Sequence, residues 1–206
     1  MDFLVYAFVD FDDTMFPSSQ LLSFFDIKTC TFSLSPEMQI RLNILDRLLF
    51  EFFTTFTFHQ KFHTRFRIVT HADEKWLGNA LKLLPKVQRL REWHFLEFIP
   101  CFEKQKYDII YHLQSKEETA KVYFSAGDQI HDTNMIQNAF RMLQWNINLF
   151  NIKTMKFIEN PNIENIIFQW KNIFDSFENY VFTNSSDHVH FVVDENNLKK
   201  VEDLLK

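Results

Sequence analysis

Short apolar runs alternate with longer amphipathic stretches along the 206 residues of the chain. The first run, FLVYAFVD at residues 3–10, is almost continuously apolar, as is typical of a strand buried on both faces of a sheet. Further strands are predicted at residues 65–70, 94–99, 121–127, 154–158 and 188–193, the last as an edge strand. This alternation predicts an α/β protein built on a layered sheet.

The amphipathic stretches predict the helices between these strands. The longest helix begins near Ser35 and Pro36, because serine is a good N-cap and proline suits the first helical position. Its apolar face extends to Phe52 and Phe53. The other helices are predicted at residues 73–84 with a break at Pro85, at 105–114, 133–145 and 162–180, and at a closing segment, 197–205.

Composition narrows the class of function. With only two glycines, the chain contains neither a GxGxxG nor a GxxxxGK[ST] motif, which excludes the Rossmann dinucleotide and P-loop classes. Its net charge of −5 gives no broad attraction to nucleic acid, so we expect no nucleic-acid partner.

The compartment is predicted from the absence of targeting and disulfide signals. No apolar run reaches transmembrane length, and the two cysteines, Cys30 and Cys101, form no disulfide framework. We therefore expect an intracellular, cytoplasmic protein without a membrane partner, with the nucleus left open.

Three carboxylates lie at the end of the first predicted strand and directly after it, and they are the most informative feature of the sequence. Asp10, Asp12 and Asp13 repel one another and are costly to desolvate, so folding alone gives no reason to gather them. Two other strands end in polar residues, at Thr70 and at Gly127-Asp128. Because ligands of parallel sheets bind beyond the carboxyl ends of the strands, this pattern indicates a metal or phosphate site.

These residues resemble the motifs of the haloacid dehalogenase-like (HAD) superfamily. DFDDT fits the DxDxT signature, the strand ending in Thr70 matches the second motif, and SAGDQIHD matches GDxxxD through Gly127, Asp128 and Asp132. DFDDTMFPSS, IVTHADEKWL and KTMKFIENPNIENIIFQWKNIFDSF are also similar to a little-characterised eukaryotic and viral branch with a DWDDTLFPSS-like start. His71 departs from that branch, which usually has asparagine there, and would bring a titratable group to the site.

The resemblance implies a fold. It is a three-layer Rossmann-like core with a central parallel sheet, over residues 1–160, and no substantial cap. Residues 15–35 have room only for a flap-like loop, and the interval 71–105 holds elements that the core itself needs. Residues 161–206 would form a small helix–strand–helix extension packed on this core.

The resemblance also implies the catalytic roles. Asp10 would be the nucleophile that forms an aspartyl-phosphate, and Asp12 the general acid and then the general base. Thr70 would hydrogen-bond the phosphoryl oxygens. A lysine should stabilise the nucleophile and the transferring group: Lys106 is preferred, and the alternatives are Lys104 and Lys121, the latter at the wrong end of the sheet.

The implied cofactor is Mg²⁺, a hard cation that prefers oxygen ligands. Its ligands would be Asp10, the backbone carbonyl of Asp12, and Asp128, while Asp132 would orient a metal-bound water. The cation would also offset the repulsion among the clustered carboxylates.

The expected function is thus a Mg²⁺-dependent phosphatase with a phosphorylated partner as substrate. Because no cap is predicted, a phosphoprotein or another large ester is the favoured substrate, and a small ester is the alternative. A phosphotransferase would use the same residues. From a different class, the chain would be a catalytically idle HAD-like domain that binds a phosphorylated partner or serves as a scaffold.

Other polar and aromatic residues have simpler interpretations. Asp13 is predicted to be solvated or to cap a helix, and Thr14 to fix the turn after the first strand. His59 and His63 are interpreted as surface residues at the end of the long helix. The phenylalanine-rich stretch at residues 50–62 is predicted to pack in the core, with enough excess to leave a homodimer interface open.

Overall fold

The computed structural model describes residues 3–101, 105–114, 122–147, 150–183 and 187–190. The strands are β1 (Phe3–Val9), β2 (Phe25–Asp26), β3 (Thr31–Phe32), β4 (Phe62–Thr70), β5 (Leu96–Pro100), β6 (Val122–Gly127), β7 (Asn151–Lys156) and β8 (Asp187–His190). The helices are α1 (Ser18–Leu21), α2 (Pro36–Thr57), α3 (Glu74–Leu81), α4 (Pro85–Glu92), α5 (Lys106–Gln114), α6 (Ile130–Met142) and α7 (Ile163–Phe182).

The central sheet has six parallel strands in the order β5-β4-β1-β6-β7-β8. Strand β1 lies inside the sheet and is buried on both faces: Val5 belongs to one apolar core, and Tyr6 to the other. Because successive strand residues point to opposite faces, this alternation requires a helical layer on each side. The predicted three-layer α/β fold is confirmed.

Each face of the sheet is covered by its own helices. The larger core includes buried side chains of α2, α3, α4 and α7, and the smaller core contains buried side chains of α5 and α6. The phenylalanine-rich stretch supplies the larger core, where Phe52 packs edge-on against Trp170 and Phe177. Core packing is therefore confirmed for this stretch, although Phe58 is 61% exposed.

Several predicted boundaries are wrong. Strand β4 begins at Phe62 and β7 at Asn151, both earlier than predicted. Pro85 does not simply end a helix; it begins α4, which the sequence analysis missed. Helix α2 ends at Thr57, so His59 and His63 do not share a helix, and His63 lies in β4.

The flap at residues 15–35 contains α1, a 3-10 turn, and the antiparallel pair β2–β3. It is too short to form a folded cap domain. From residue 161 onwards, α7 packs in the larger core and β8 pairs with β7. The predicted residues 191–193 of the last strand and the closing helix at 197–205 lie outside the described residues. Among the described helices, none combines the length and apolar content that a bilayer crossing requires.

Candidate active site

Three neighbouring strands have a polar residue at their carboxyl end, either as the last residue or directly after it. Strand β1 lies between β4 and β6, and all three run parallel. Asp10 directly follows β1, Thr70 is the last residue of β4, and Asp128 directly follows β6. These three groups therefore lie side by side at the edge where parallel sheets bind ligands.

A buried lysine, Lys106, joins the carboxylates of Asp10 and Asp132. The Lys106 Nζ donates to Asp10 Oδ1 at 2.5 Å and to Asp132 Oδ1 at 2.8 Å. All three side chains are almost inaccessible to solvent. Lys106 reaches this place because α5 begins at it, just after β5, while Asp132 projects from the first turn of α6.

The electrostatics of this group follow from its burial. Burial raises the pKa of Asp10 well above its usual value, and the charge of Lys106 acts against that rise. Burial would also favour the neutral amine of Lys106, but Asp10 and Asp132 outweigh it and raise the lysine pKa. The ammonium group is therefore held in its charged form between two carboxylates.

Asp10, Asp128 and Asp132 form a cluster suited to a cation. Each offers a carboxylate oxygen, and these oxygens all lie within 4.8 Å of one another in a buried setting. Burial raises the pKa of Asp128, so its charge also lacks full compensation by the protein. If all three are ionised, Lys106 leaves two negative charges, which one divalent cation would balance. The donor set consists of oxygens only and fits the preference of Mg²⁺.

Asp12 has surroundings different from those of Asp10. Its Oδ2 accepts a hydrogen bond from the Thr70 hydroxyl at 3.0 Å, and its Oδ1 accepts one from the Trp76 indole N–H at 3.0 Å. The Ser18 hydroxyl also donates to Oδ1. The side chain of Asp12 is not part of the carboxylate cluster, so the predicted metal contact of this residue rests on its backbone carbonyl.

Asp13 and Thr14 build the turn that separates these groups. Asp13 has a left-handed backbone, with φ of 55°, and its carboxylate accepts the Ser19 N–H of α1 at 2.8 Å. It is buried, so the capping interpretation is confirmed and the solvated one is wrong. The Thr14 hydroxyl accepts the Asp128 N–H at 3.1 Å, which joins the loops after β1 and β6.

Several residues near the site were not assigned a role from the sequence. Trp76 and Ser18 contact Asp12 only through the tertiary fold. Lys156, in the quoted KTMKFIENP segment, donates to the backbone carbonyl of Asp128 and to the Glu159 carboxylate at 2.9 Å. The sequence of that segment resembles the HAD branch, but nothing in its pattern indicates that it holds the loop after β6.

Two histidines lie at the rim of the cluster. The rings of His71 and His131 are 5.9 Å apart, and both residues are exposed. The His131 Nε2 lies 3.3 Å from Asp132 Oδ1. His71 therefore lies beside His131, and His131, which the sequence analysis did not single out, is the histidine next to Asp132.

The predicted site residues thus divide into two groups. Asp10, Lys106, Asp128 and Asp132 form one buried cluster, while Asp12 and Thr70 are paired with each other. Thr70 also accepts the Ala72 N–H at 3.0 Å. The alternative lysines, Lys104 and Lys121, lie outside the described residues.

Comparison with known proteins supports the fold alone. No protein-family model and no curated protein matches the chain. Two crystal structures of the Legionella pneumophila effector Ceg4 are similar to it, one with an N-terminal yeast Hog1p sequence and one with an N-terminal TEV protease cleavage sequence. The first has 13% identity and a TM-score of 0.51, covering 89% of this chain and 98% of that one. The second has 14% identity and a TM-score of 0.52, covering 89% and 96%. The chain therefore shares its α/β architecture with Ceg4.

Proposed function

We propose that the protein is a magnesium-dependent phosphatase of the HAD type that forms an aspartyl-phosphate on Asp10. The observation that carries this proposal is the Lys106 ammonium buried between Asp10 and Asp132, with Asp128 beside them. A scaffold gains little from three buried carboxylates around one lysine, because desolvating the charges costs more than the ion pairs return. Chemistry on an anionic substrate gives this arrangement a reason.

The proposed reaction has two displacements. In the first, a carboxylate oxygen of Asp10 bonds to phosphorus, the bond from phosphorus to the leaving oxygen breaks, and Asp12 gives that oxygen a proton. In the second, water attacks phosphorus, Asp12 takes a proton from the water, and the bond to Asp10 breaks to release phosphate. Lys106 opposes the rise that burial causes in the pKa of Asp10 and would offset charge on the transferring group.

Residues of the chain itself would supply the metal ligands and the contacts to the phosphoryl group. Asp10 and Asp128, with the Asp12 carbonyl, would hold Mg²⁺, and Asp132 would orient a water bound to it. When bound, Mg²⁺ would draw charge from the phosphoryl oxygens and shield the substrate from the carboxylates. The Thr70 hydroxyl, now paired with Asp12, would turn to a phosphoryl oxygen.

The proposed substrate is a phosphoprotein or another large phosphate ester. The flap at residues 15–35 is short, and the described part of the interval 71–105 consists of core elements. By analogy with HAD enzymes, a site without a folded cap would admit a group larger than a metabolite. A phosphotransferase reaction on the same aspartate differs only in the acceptor that replaces water.

The first test is phosphate release from p-nitrophenyl phosphate, measured with Mg²⁺ and with a chelator. We expect Mg²⁺-dependent turnover that is lost in Asp10→Asn, which has the shape of the nucleophile without its charge. The matched control is Asp175→Asn, because Asp175 is exposed on α7. If the wild-type protein releases no phosphate, the phosphatase proposal fails, and a role in binding a phosphorylated partner becomes the better interpretation.

A further inference from the structure

The three donors that face Asp12 differ in what they are able to do. Ser18 and Thr70 contribute hydroxyl groups, which rotate and accept as well as donate hydrogen bonds. Trp76 contributes an indole N–H, which only donates. As long as Trp76 stays in place, Oδ1 of Asp12 must therefore remain an acceptor.

Two sets of contacts hold Trp76 in place. Its backbone N–H donates to the Asp73 carboxylate at 2.7 Å, which caps the first turn of α3. Its ring meets Phe25 edge-on with centroids 5.2 Å apart and lies 5.7 Å from Phe32, both in the β2–β3 pair of the flap. Phe16 completes this aromatic group at 6.2 Å. The indole is thus fixed from the helix on one side and from the flap on the other.

We propose that Trp76 is a positioning residue for the reaction, because its indole N–H fixes the orientation of the Asp12 carboxylate. This inference rests on the proposed phosphatase function. With Oδ1 engaged by Trp76, Oδ2 is the oxygen that exchanges a proton with the substrate. In the first displacement, the proton passes from Oδ2 to the leaving oxygen as its bond to phosphorus breaks. The Thr70 hydroxyl, which faces Oδ2, is able to reorient its hydrogen while its oxygen still accepts the Ala72 N–H.

The leaving group provides the test. The variant Trp76→Phe keeps an aromatic ring against the flap and removes the N–H. For each protein, kcat/KM is measured with Mg²⁺ on phenyl phosphate and p-nitrophenyl phosphate, which differ only in the nitro group. Because kcat/KM reports the steps up to alcohol release, it isolates the proton transfer to the leaving oxygen from the later hydrolysis.

We expect kcat/KM for phenyl phosphate to fall about tenfold to a hundredfold, since general acid catalysis contributes about 10²–10⁴-fold. For p-nitrophenyl phosphate we expect a loss below about threefold, because nitrophenolate leaves without a proton and needs little general acid catalysis. The control is Trp93→Phe, which should leave both values unchanged because Trp93 is 54% exposed at the end of α4.

Three other outcomes would contradict the proposal. An equal loss on both esters, with a lowered melting temperature, would mean that Trp76 supports the flap only, and the positioning role would be overturned. Unchanged values for Trp76→Phe on both esters would overturn it as well. Absence of turnover in the wild-type protein on either ester would instead refute the phosphatase itself, and the role of Trp76 with it.

Discussion

The two glycines of the chain allow a matched test of how the site is packed. A Cβ atom added at Gly127 would lie 2.2 Å from the Cβ of Asp132 and 2.7 Å from its Cγ. Ordinary contact begins at 3.4 Å, so one of the two residues must move by about 1.2 Å. Neither moves easily: Gly127 accepts the Phe157 N–H at 2.8 Å at the end of β6, and Asp132 is fully buried against Lys106.

The variant Gly127→Ala should therefore be less stable and less active. Overpacking of this kind costs about 1–3 kcal/mol, and a protein of this size loses about 2–4 °C of melting temperature per kcal/mol. We expect the melting temperature to fall by about 2–12 °C. A displacement near 1 Å costs about a hundredfold in rate when it disturbs reacting groups. Differential scanning calorimetry and phosphate release measure the two effects.

Gly78→Ala is the control, because no atom lies within 4 Å of the added Cβ. Gly78 lies inside α3, where alanine is favoured over glycine by about 0.5–1 kcal/mol, so the melting temperature should rise slightly. Mg²⁺ should further stabilise the wild-type protein and Gly78→Ala but not Gly127→Ala, since a ligand stabilises only the state that binds it. If Gly127→Ala has the melting temperature and activity of the wild type, the close contact of Asp132 with Gly127 is contradicted.

Three further predictions concern single contacts. Lys156→Met should weaken Mg²⁺ binding about tenfold to a hundredfold, measured by titration calorimetry, because it releases the backbone carbonyl of Asp128. Iodoacetamide should modify Cys30 in the folded protein and Cys101 only after unfolding, as followed by mass spectrometry, since burial raises the pKa of the Cys101 thiol to about 11. Asp46→Ala should lower stability by about 0.5–2 kcal/mol, because the carboxylate accepts two N–H groups at the start of α4, whereas Asp46→Asn should retain or raise it at neutral pH. Burial raises the pKa of Asp46, so the folded state binds a proton at higher pH than the unfolded state does, and any advantage of Asp46→Asn in urea unfolding should shrink as the pH falls through that pKa.

The order of the elements could be predicted because central strands such as β1 and β6 are mainly apolar on both faces. The predicted start of β7 was late because polar side chains interrupt its pattern. Lys153 is fully buried there, with its Nζ 2.6 Å from the Thr183 hydroxyl and 5.1 Å from the centre of the Tyr180 ring. From the local sequence pattern alone, a lysine is expected to face solvent. Lys153 has its partners only because α7 packs against the sheet.

The missed helix has the same kind of explanation. Pro85 follows an apparently complete helix, so its position predicted an end rather than a beginning. In the structure, the Asp46 carboxylate from α2 accepts the N–H groups of Lys86 and Val87. These bonds cap α4 from a residue 40 positions away from Lys86, and no local capping signal precedes it.

The same distinction between local sequence pattern and tertiary contact applies to the candidate site. Asp10, Asp128 and Lys106 could be selected because they follow strands or begin a helix in motif order. Trp76 could not, since nothing in its local sequence indicates a contact with a residue 64 positions earlier. The candidate catalytic residues leave a pattern at strand ends, whereas the contact between Trp76 and Asp12 depends on the assembled fold.

The three carboxylates after β1 look alike in the sequence, but the fold gives each a different partner. Asp10 meets the charge of Lys106, Asp12 meets neutral donors, and Asp13 meets the start of α1. The charge of Lys106 opposes the rise that burial causes in the pKa of Asp10, while three neutral donors fix the orientation of the Asp12 carboxylate. The left-handed backbone of Asp13 takes the third carboxylate into a helix cap. One tight turn thus presents a candidate nucleophile and a candidate acid two residues apart, and the fold places the two carboxylates in different surroundings.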